Sequence, residues 1–466
     1  MQAKQNTGHV FRTATVLAVA LSVAGTPAAA EEAGIPVTGA PEASMSSSLP
    51  RFLADPGGVR AKLATRGITY GANYIGEVLG VTSGGLKREA QYDGRLELYT
   101  NWDLEKLVGW RGATFFANAF QIHGNSVAGE GVGSLAPVSF IEATPATRLF
   151  EMWLEQSFAD DQVSLRIGQL AADSEFGNTE GGGAFINGTF GWTTLTASNM
   201  PDGGPAYPLA TPGARLKLSL SEQVTFLAGL YNGVPAHPCT KGDPQRCNSD
   251  GLQFPLGDPP LFIAEGQFKY NIGLPGTLKL GGWEHFGSFD DTRFNENRGR
   301  LALFGGTPLF HGTNYGLYAV IDQQIYAVKG SETRGVAVFG RVMTNPGDRN
   351  LVSVYGEGGV TVTGFWDRRP DDIFVIGVAH TRIASGARGA DRDRNEVSGI
   401  AAPIRGIETI LEINYSAQII PGWTVQPVVE HFWNPGGGGI DPDDDPAGTA
   451  RPGHATVVGV RTTIKY

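Results

Sequence analysis

The sequence predicts an all-β protein: a transmembrane antiparallel up-and-down β-barrel of about 16 strands, preceded by a short N-terminal periplasmic extension. Three observations predict it. From Gly67 onward, short stretches alternate apolar and polar residues at period two, with almost nothing helical of any length between them. The links between these stretches are sorted by length, short on one rim and long on the other, as in an outer-membrane barrel. The last stretch, Val457-Val458-Gly459-Val460-Arg461-Thr462-Thr463-Ile464-Lys465-Tyr466, ends on an aromatic and has the length of a tilted membrane strand.

The N-terminus reads as an export segment. Lys4 and Arg12 precede an apolar run from Ala14 to Ala24, and Ala28-Ala29-Ala30 suits cleavage, so residues 1–30 are expected to be removed. Losing those two cations takes the formal charge from −10 to −12. An acidic chain without clustered Lys and Arg argues against a nucleic-acid partner. No later apolar run is long enough for a membrane helix, and a mean hydropathy of −0.12 leaves a barrel open, because alternating faces average out. Residues 31–66 read as a periplasmic leader, Ala/Pro/Ser-rich at first, with a possible short helix within Arg51 to Arg66.

Sixteen strands are expected near 67–78, 92–104, 112–123, 148–158, 162–170, 213–220, 223–231, 261–271, 276–288, 312–324, 333–343, 350–361, 372–382, 405–418, 423–433 and 454–466. Several alternate cleanly, among them Arg95 to Leu104, Ala214 to Leu220 and Ile407 to Tyr415. Long links fall near 124–147, 171–212, 232–260, 289–311, 383–404 and 434–453, and short links fall between them; the short 344–349 and the longer 362–371 break the rule. In the last strand Ile464, Thr462, Val460 and Val458 share one face with Tyr466, expected at the lipid interface, and Arg461 and Lys465 face the lumen. Closure into a barrel leaves no sheet edge unpaired in lipid.

The two cysteines, Cys239 and Cys247, lie in one loop of an exported chain and are expected to form a disulfide. With His237 they are a poor metal set, and no metal or cofactor is expected. The acidic Asp441 to Pro446 lacks the spacing of a calcium loop, and Gly436 to Gly439 precedes no helix that would make it a phosphate loop. Nucleophile-elbow, zinc-protease and nucleotide-loop motifs are missing. Glu151 and Glu155 lie roughly 13 Å apart along a strand, too far for a hydrolase pair. An enzyme is therefore not expected.

The stretch Arg148 to Gly213 is the expected functional unit. Glu151, Trp153 and Glu155 share the polar face of one strand, with Phe150, Met152, Leu154 and Phe158 on the other. Asp160-Asp161 turns the chain, and Arg166 joins the polar wall from the next strand. Residues 171–212 then run without a regular pattern, carrying Asp173, Glu175, Glu180-Gly181-Gly182-Gly183, Trp192 and Tyr207. So long an irregular link is usually functional, and on the long-loop rim it can fold back into the lumen. The expected lining comprises Arg95, Glu97, Arg148, Glu151, Trp153, Glu155, Arg166 and Arg461 on the wall, narrowed by Asp173, Glu175, Trp192 and Tyr207.

The chain resembles the carbohydrate-selective porins of the OprB family from about Arg51 to Tyr466. The resemblance rests on Asp103-Leu104-Glu105-Lys106-Leu107-Val108-Gly109-Trp110, Trp153-Leu154-Glu155-Gln156, Ser164-Leu165-Arg166-Ile167-Gly168-Gln169, Asp173-Ser174-Glu175-Phe176, Phe190-Gly191-Trp192, Gly203 to Leu209 and Leu274-Pro275-Gly276-Thr277. Trp192-Thr193 departs from the family, where proline often follows the tryptophan, and so does the final Tyr466, where phenylalanine is commoner. The resemblance implies a sixteen-stranded outer-membrane barrel that lets sugars diffuse inward past a folded-in loop. Carbohydrate solutes, outer-membrane lipid and lipopolysaccharide would be its partners, and a homotrimer is the association common among such barrels. The rival readings are a general diffusion porin and an exported soluble glycan-binding β-protein.

Overall fold

The computed structural model describes residues 38–236, 239, 242–331, 333–441 and 448–466; the export segment, His237 and residues 442–446 of the acidic stretch lie outside them. Its strands are β1 (Ile68–Gly85), β2 (Ala90–Asp103), β3 (Ala113–Gly124), β4 (Ala146–Phe158), β5 (Val163–Leu170), β6 (Thr211–Ser219), β7 (Val224–Asn232), β8 (Pro260–Asn271), β9 (Pro275–His285), β10 (Phe289–Asn295), β11 (Pro308–His311), β12 (Asn314–Ala327), β13 (Gly335–Thr344), β14 (Val352–Thr363), β15 (Ile373–Ile383), β16 (Ile407–Ile420), β17 (Trp423–Trp433) and β18 (Gly453–Lys465). Sixteen of them close into one antiparallel barrel, each pairing with its neighbours and β18 returning to β1. The pair β10–β11 is a separate hairpin within a long link.

All sixteen expected strands are present, several of them carrying a clean alternating signal, although 112–123 and 333–343 alternate poorly. The edges moved where pairing overrode local pattern. β1 runs on to Gly85 rather than ending near 78, since β18 pairs with it as far as Gly85↔Gly453 through two register shifts. On the long-loop rim the 383–404 link contains a helix, Ser385–Ser398, not expected from so polar a sequence. Ion pairs hold it in place: Arg293 and Arg300 reach Asp393 at 2.7 and 3.1 Å, and Arg405 reaches Asp391 at 2.8 Å. Cys239 and Cys247 are joined as a disulfide in the 232–260 link.

The barrel is polar within and apolar without. Leu98, Ile167, Leu230, Leu280, Leu317 and Val342 are exposed on the outer face, whereas Glu77, Arg215, Glu265, Arg341, Glu412 and Glu430 are buried. That inversion is the pattern of a membrane barrel. The closed ladder also excludes the soluble sandwich reading.

Two positions depart locally from the expected pattern. The β3–β4 register shifts between Ala117↔Met152 and Ala119↔Leu149, so two β4 residues oppose Asn118. This bulge turns Phe150 inward, against Phe120 at 4.7 Å and Tyr207 at 6.1 Å, although period two placed it on the outer face. The second departure concerns Tyr466, which keeps the face of Ile464 but is half-buried against the leader. Its hydroxyl donates to the Leu53 carbonyl at 2.6 Å, and the Arg60 guanidinium sits 4.8 Å from its ring and 4.5 Å from that of Tyr70. Arg60 belongs to the short helix Val59–Ala64, whose start is fixed by the Asp55 carboxylate accepting from the Arg60 amide at 2.7 Å. The leader also lies against the β16–β17 turn, where a Cβ on Gly422 (φ +80°) would meet the Met45 amide nitrogen.

Candidate functional site

The 171–212 link crosses the lumen, and the barrel wall supplies the partners for its backbone. It leaves β5 beside Glu151, whose carboxylate accepts from the Ala171 amide at 3.1 Å. It then meets Glu265, which accepts from Gly177 at 2.7 Å, and Asp322, which accepts from Glu180 at 2.9 Å. Arg341 donates to the carbonyls of Gly177, Thr189, Phe190 and Gly191 at 2.7 to 3.1 Å and is itself held by Glu357. The crossing ends at Glu412 on β16, whose two oxygens accept from Ile186 and Asn187 at 2.7 and 2.8 Å, and at Glu430, which accepts from the Asn187 side-chain amide at 2.8 Å. In ring order β15 stands eight places from β5, so Glu412 on the adjacent β16 belongs to the opposite wall. Buried backbone groups need such partners.

A second link, 125–145, also folds inward. Glu408 accepts from the Leu135 and Ala136 amides at 2.9 and 3.2 Å, and Arg461 donates to the Ser139 hydroxyl at 2.8 Å.

Between the two links lies a cavity of about 520 Å³. Of the expected residues it brings together Arg95, Asp173, Trp192 and Tyr207. The Arg95 guanidinium is framed by rings: Phe120 at 4.6 Å, Tyr207 at 5.1 Å and Phe140 at 5.6 Å. Tyr207 is fixed by its hydroxyl donating to Ile141 and its amide to Asp173, both at 2.8 Å, and Trp192 by its indole donating to Gly203 at 2.8 Å. Burial pushes the Asp173 carboxyl up to about 6 and that of Glu142, also on the cavity wall, up to about 7; it raises the Tyr207 phenol as well.

The other expected residues take different positions. Glu155, Arg166 and Glu175 form a four-charge cluster with Arg215: Arg166 to Glu155 is 2.7 Å, Arg166 to Glu175 is 3.2 Å, and Arg215 to Glu175 is 2.6 Å. Trp153 is built into this cluster, with the Arg166 guanidinium 3.8 Å from its ring and Phe116 stacked at 5.0 Å. Glu97 accepts from the Asn118 side-chain amide at 2.8 Å. Three residues expected to line the lumen are covered instead. Arg148 is 1% exposed and donates to the carbonyls of Pro208 and Gln245. Glu151 is consumed by its bond to Ala171. Arg461 pairs with Glu77 at 2.6 Å beneath Phe140. Glu151 and Arg461 lie on the polar face as period two implies, whereas Arg148, of the same parity as Phe150, is turned inward by the β4 bulge; the inward links cover all three.

Sequence reasoning passed over Phe120, Phe140 and Glu142 and named Glu180 only as part of the link, not of the lining; all four are on the cavity wall. The available signal was the length of the 124–147 link, equal in kind to that of 171–212. It also passed over Arg215, whose polar-face position was visible. Among the described residues Asp291, His311 and Asp348 lie close enough to share an ion. His311 Nε2 lies 3.2 Å from Asp291, and Arg349 meets Asp348 at 2.8 Å, so both carboxylates already have partners within the protein.

Residues 87–466 match the family described as the carbohydrate-selective porin, OprB family. Porin B of Pseudomonas aeruginosa is 23% identical over 408 residues, covering 83% of this chain and 87% of that protein. A putative porin, QuiX, of Acinetobacter baylyi is 22% identical over 409 residues, covering 83% and 89%. Among solved structures, OprB of Pseudomonas putida at high pH superposes with a TM-score of 0.80 at 22% identity, covering 88% of this chain and 97% of that one.

Proposed function

The chain belongs to the OprB family of carbohydrate-selective porins, channels of the outer membrane, and from that premise we propose that it passes neutral, glucose-like sugars into the periplasm by passive diffusion, in preference to charged solutes of similar size. The observation that carries this reading is the Arg95 site. One guanidinium sits among three aromatic rings over a cavity that Asp173 and Glu180 also line. A sugar offers hydroxyls to both charge types and an apolar C–H face to the rings. The cavity volume falls within the range of about 300–1,000 Å³ usual for small-molecule sites. Affinity in such a site must stay low, because a solute that binds tightly does not leave. In this reading the 171–212 link narrows the lumen, and the acids beside Arg95 oppose anions while Arg95 opposes cations.

Vesicles reconstituted with the protein should swell several-fold faster in glucose than in gluconate. Equal rates would leave a general diffusion porin. Replacing Arg95 by glutamine should reduce the glucose rate while the barrel still shows heat-modifiable migration, because Arg95 pairs with no carboxylate in the wall.

A further inference from the structure

Beyond the cavity at Arg95, the lumen holds a second one, of about 430 Å³, on the short-turn side of the 171–212 link. Glu180 lines both, with Gly182 and Gly183 turned to the first cavity and Gly181 to the second. The Glu180-Gly181-Gly182-Gly183 stretch is therefore the partition between two chambers in series. The register shows what faces the second. Lys269, Thr277, Asp322 and Phe339 form one inward row across β8, β9, β12 and β13. Gln324 and Thr361, both paired with Ala337, lie one pleat closer to the short turns.

Two polar atoms in this wall have no protein partner. The Asp322 carboxylate uses one oxygen to accept from the Glu180 amide at 2.9 Å, and its other oxygen is buried and unbonded. The Thr361 hydroxyl is likewise buried and unbonded. Buried polar atoms are rarely left so, and each unmet group is a standing preference for a solute that carries hydroxyls. The chamber also offers the Phe339 ring and the Gln324 amide.

We propose that this chamber is a second binding site for neutral, hydroxyl-rich solutes, reached from the periplasmic face and separated from the Arg95 site by Glu180. The inference rests on the sugar-porin reading. Its consequence is a two-station path: a sugar leaves the Arg95 site, passes Glu180, and exchanges one set of hydrogen bonds for another before release. Two weak sites in series permit passage where one tight site would hold the solute.

The test is block of ion current by D-glucose, applied to one face at a time of channels inserted in one orientation. Thr361→Val keeps the side-chain shape and breaks no internal bond. It should raise the half-blocking concentration at the periplasmic face about fivefold, the worth of one hydrogen bond, while the outer-face value changes by less than about twofold. Asp322→Asn, which keeps the oxygen that holds Glu180, should act in the same direction, and Arg95→Gln should show the reverse asymmetry. Shifts of equal size at both faces, or none at the periplasmic face, would overturn the second site. A wild-type channel that glucose blocks from neither face would instead sink the sugar reading itself.

Discussion

Replacing Arg461 by methionine is expected to destabilise the folded barrel by about 3–5 kcal/mol, the cost of leaving a buried charge without its partner. Arg461 is 3% exposed and Glu77 1%. Their contact is 2.6 Å, and the guanidinium also bonds Ser139. The register makes the loss worse: Glu77 on β1 stands opposite both Arg461 on β18 and Asp93 on β2. Directly opposed residues have Cβ atoms about 4.5–5.5 Å apart, so without Arg461 the two opposed buried carboxyls lose the cation on the far side of Glu77. The double variant Arg461→Met with Glu77→Gln should recover much of the loss, because it removes both ends of the pair. The measurement is a urea titration in detergent, read by heat-modifiable migration. A single variant within about 1 kcal/mol of the wild type would show that the pair does not compensate a buried charge.

The second large effect is on conduction. Glu412→Ala removes the acceptors of two consecutive amides, Ile186 and Asn187, at the far end of the crossing link. Each stranded amide costs about 1–3 kcal/mol when buried. The released segment can recover its bonds only by lifting into water. Single-channel conductance should therefore rise and the preference for glucose over gluconate should fall. The strand ladder loses no backbone bond, so migration of the folded form should persist. Glu412→Gln keeps one carbonyl oxygen and should fall between. If Glu412→Ala conducts as the wild type does, the far-wall anchor is not at Glu412.

The barrel was legible because several strands state their own faces and the links between strands are sorted by length, even though 112–123 and 333–343 alternate poorly. In β18, Val458, Val460 and Ile464 alternate with Arg461 and Lys465, and that pattern needs no knowledge of any other strand. The departures come from what a partner does. Phe150 turns inward because β4 carries an extra residue against Asn118, and period two has no means of counting a bulge. The candidate site was legible in its parts and not in its assembly. Arg95, Asp173, Trp192 and Tyr207 were picked as polar or aromatic residues of the inner face or loop, and they do meet. Glu151 and Arg461 satisfied the same rule, Arg148 reaches the inner face only through the β4 bulge, and all three are covered, because chain folded into the barrel takes up their bonding capacity. The contact between Ile186 and Glu412 spans 226 residues, and no periodicity reports it.

The leader that ties Arg60 and Leu53 to Tyr466 bears on assembly order. The other pairings join strands that follow one another in the chain, β9 and β12 being separated only by the link that holds β10 and β11, but the seam joins Asn73 to Lys465, nearly the whole chain apart. The entropy of closing a loop rises with its length, so the seam is the pairing with the steepest closure cost. A clasp formed from segments on either side of it, Leu53 and Arg60 before β1 and Tyr466 after β18, holds the two edge strands at high mutual concentration. Shortening the leader is therefore expected to slow ring closure, read as the rate at which the folded, fast-migrating form appears, while leaving the finished ladder unchanged.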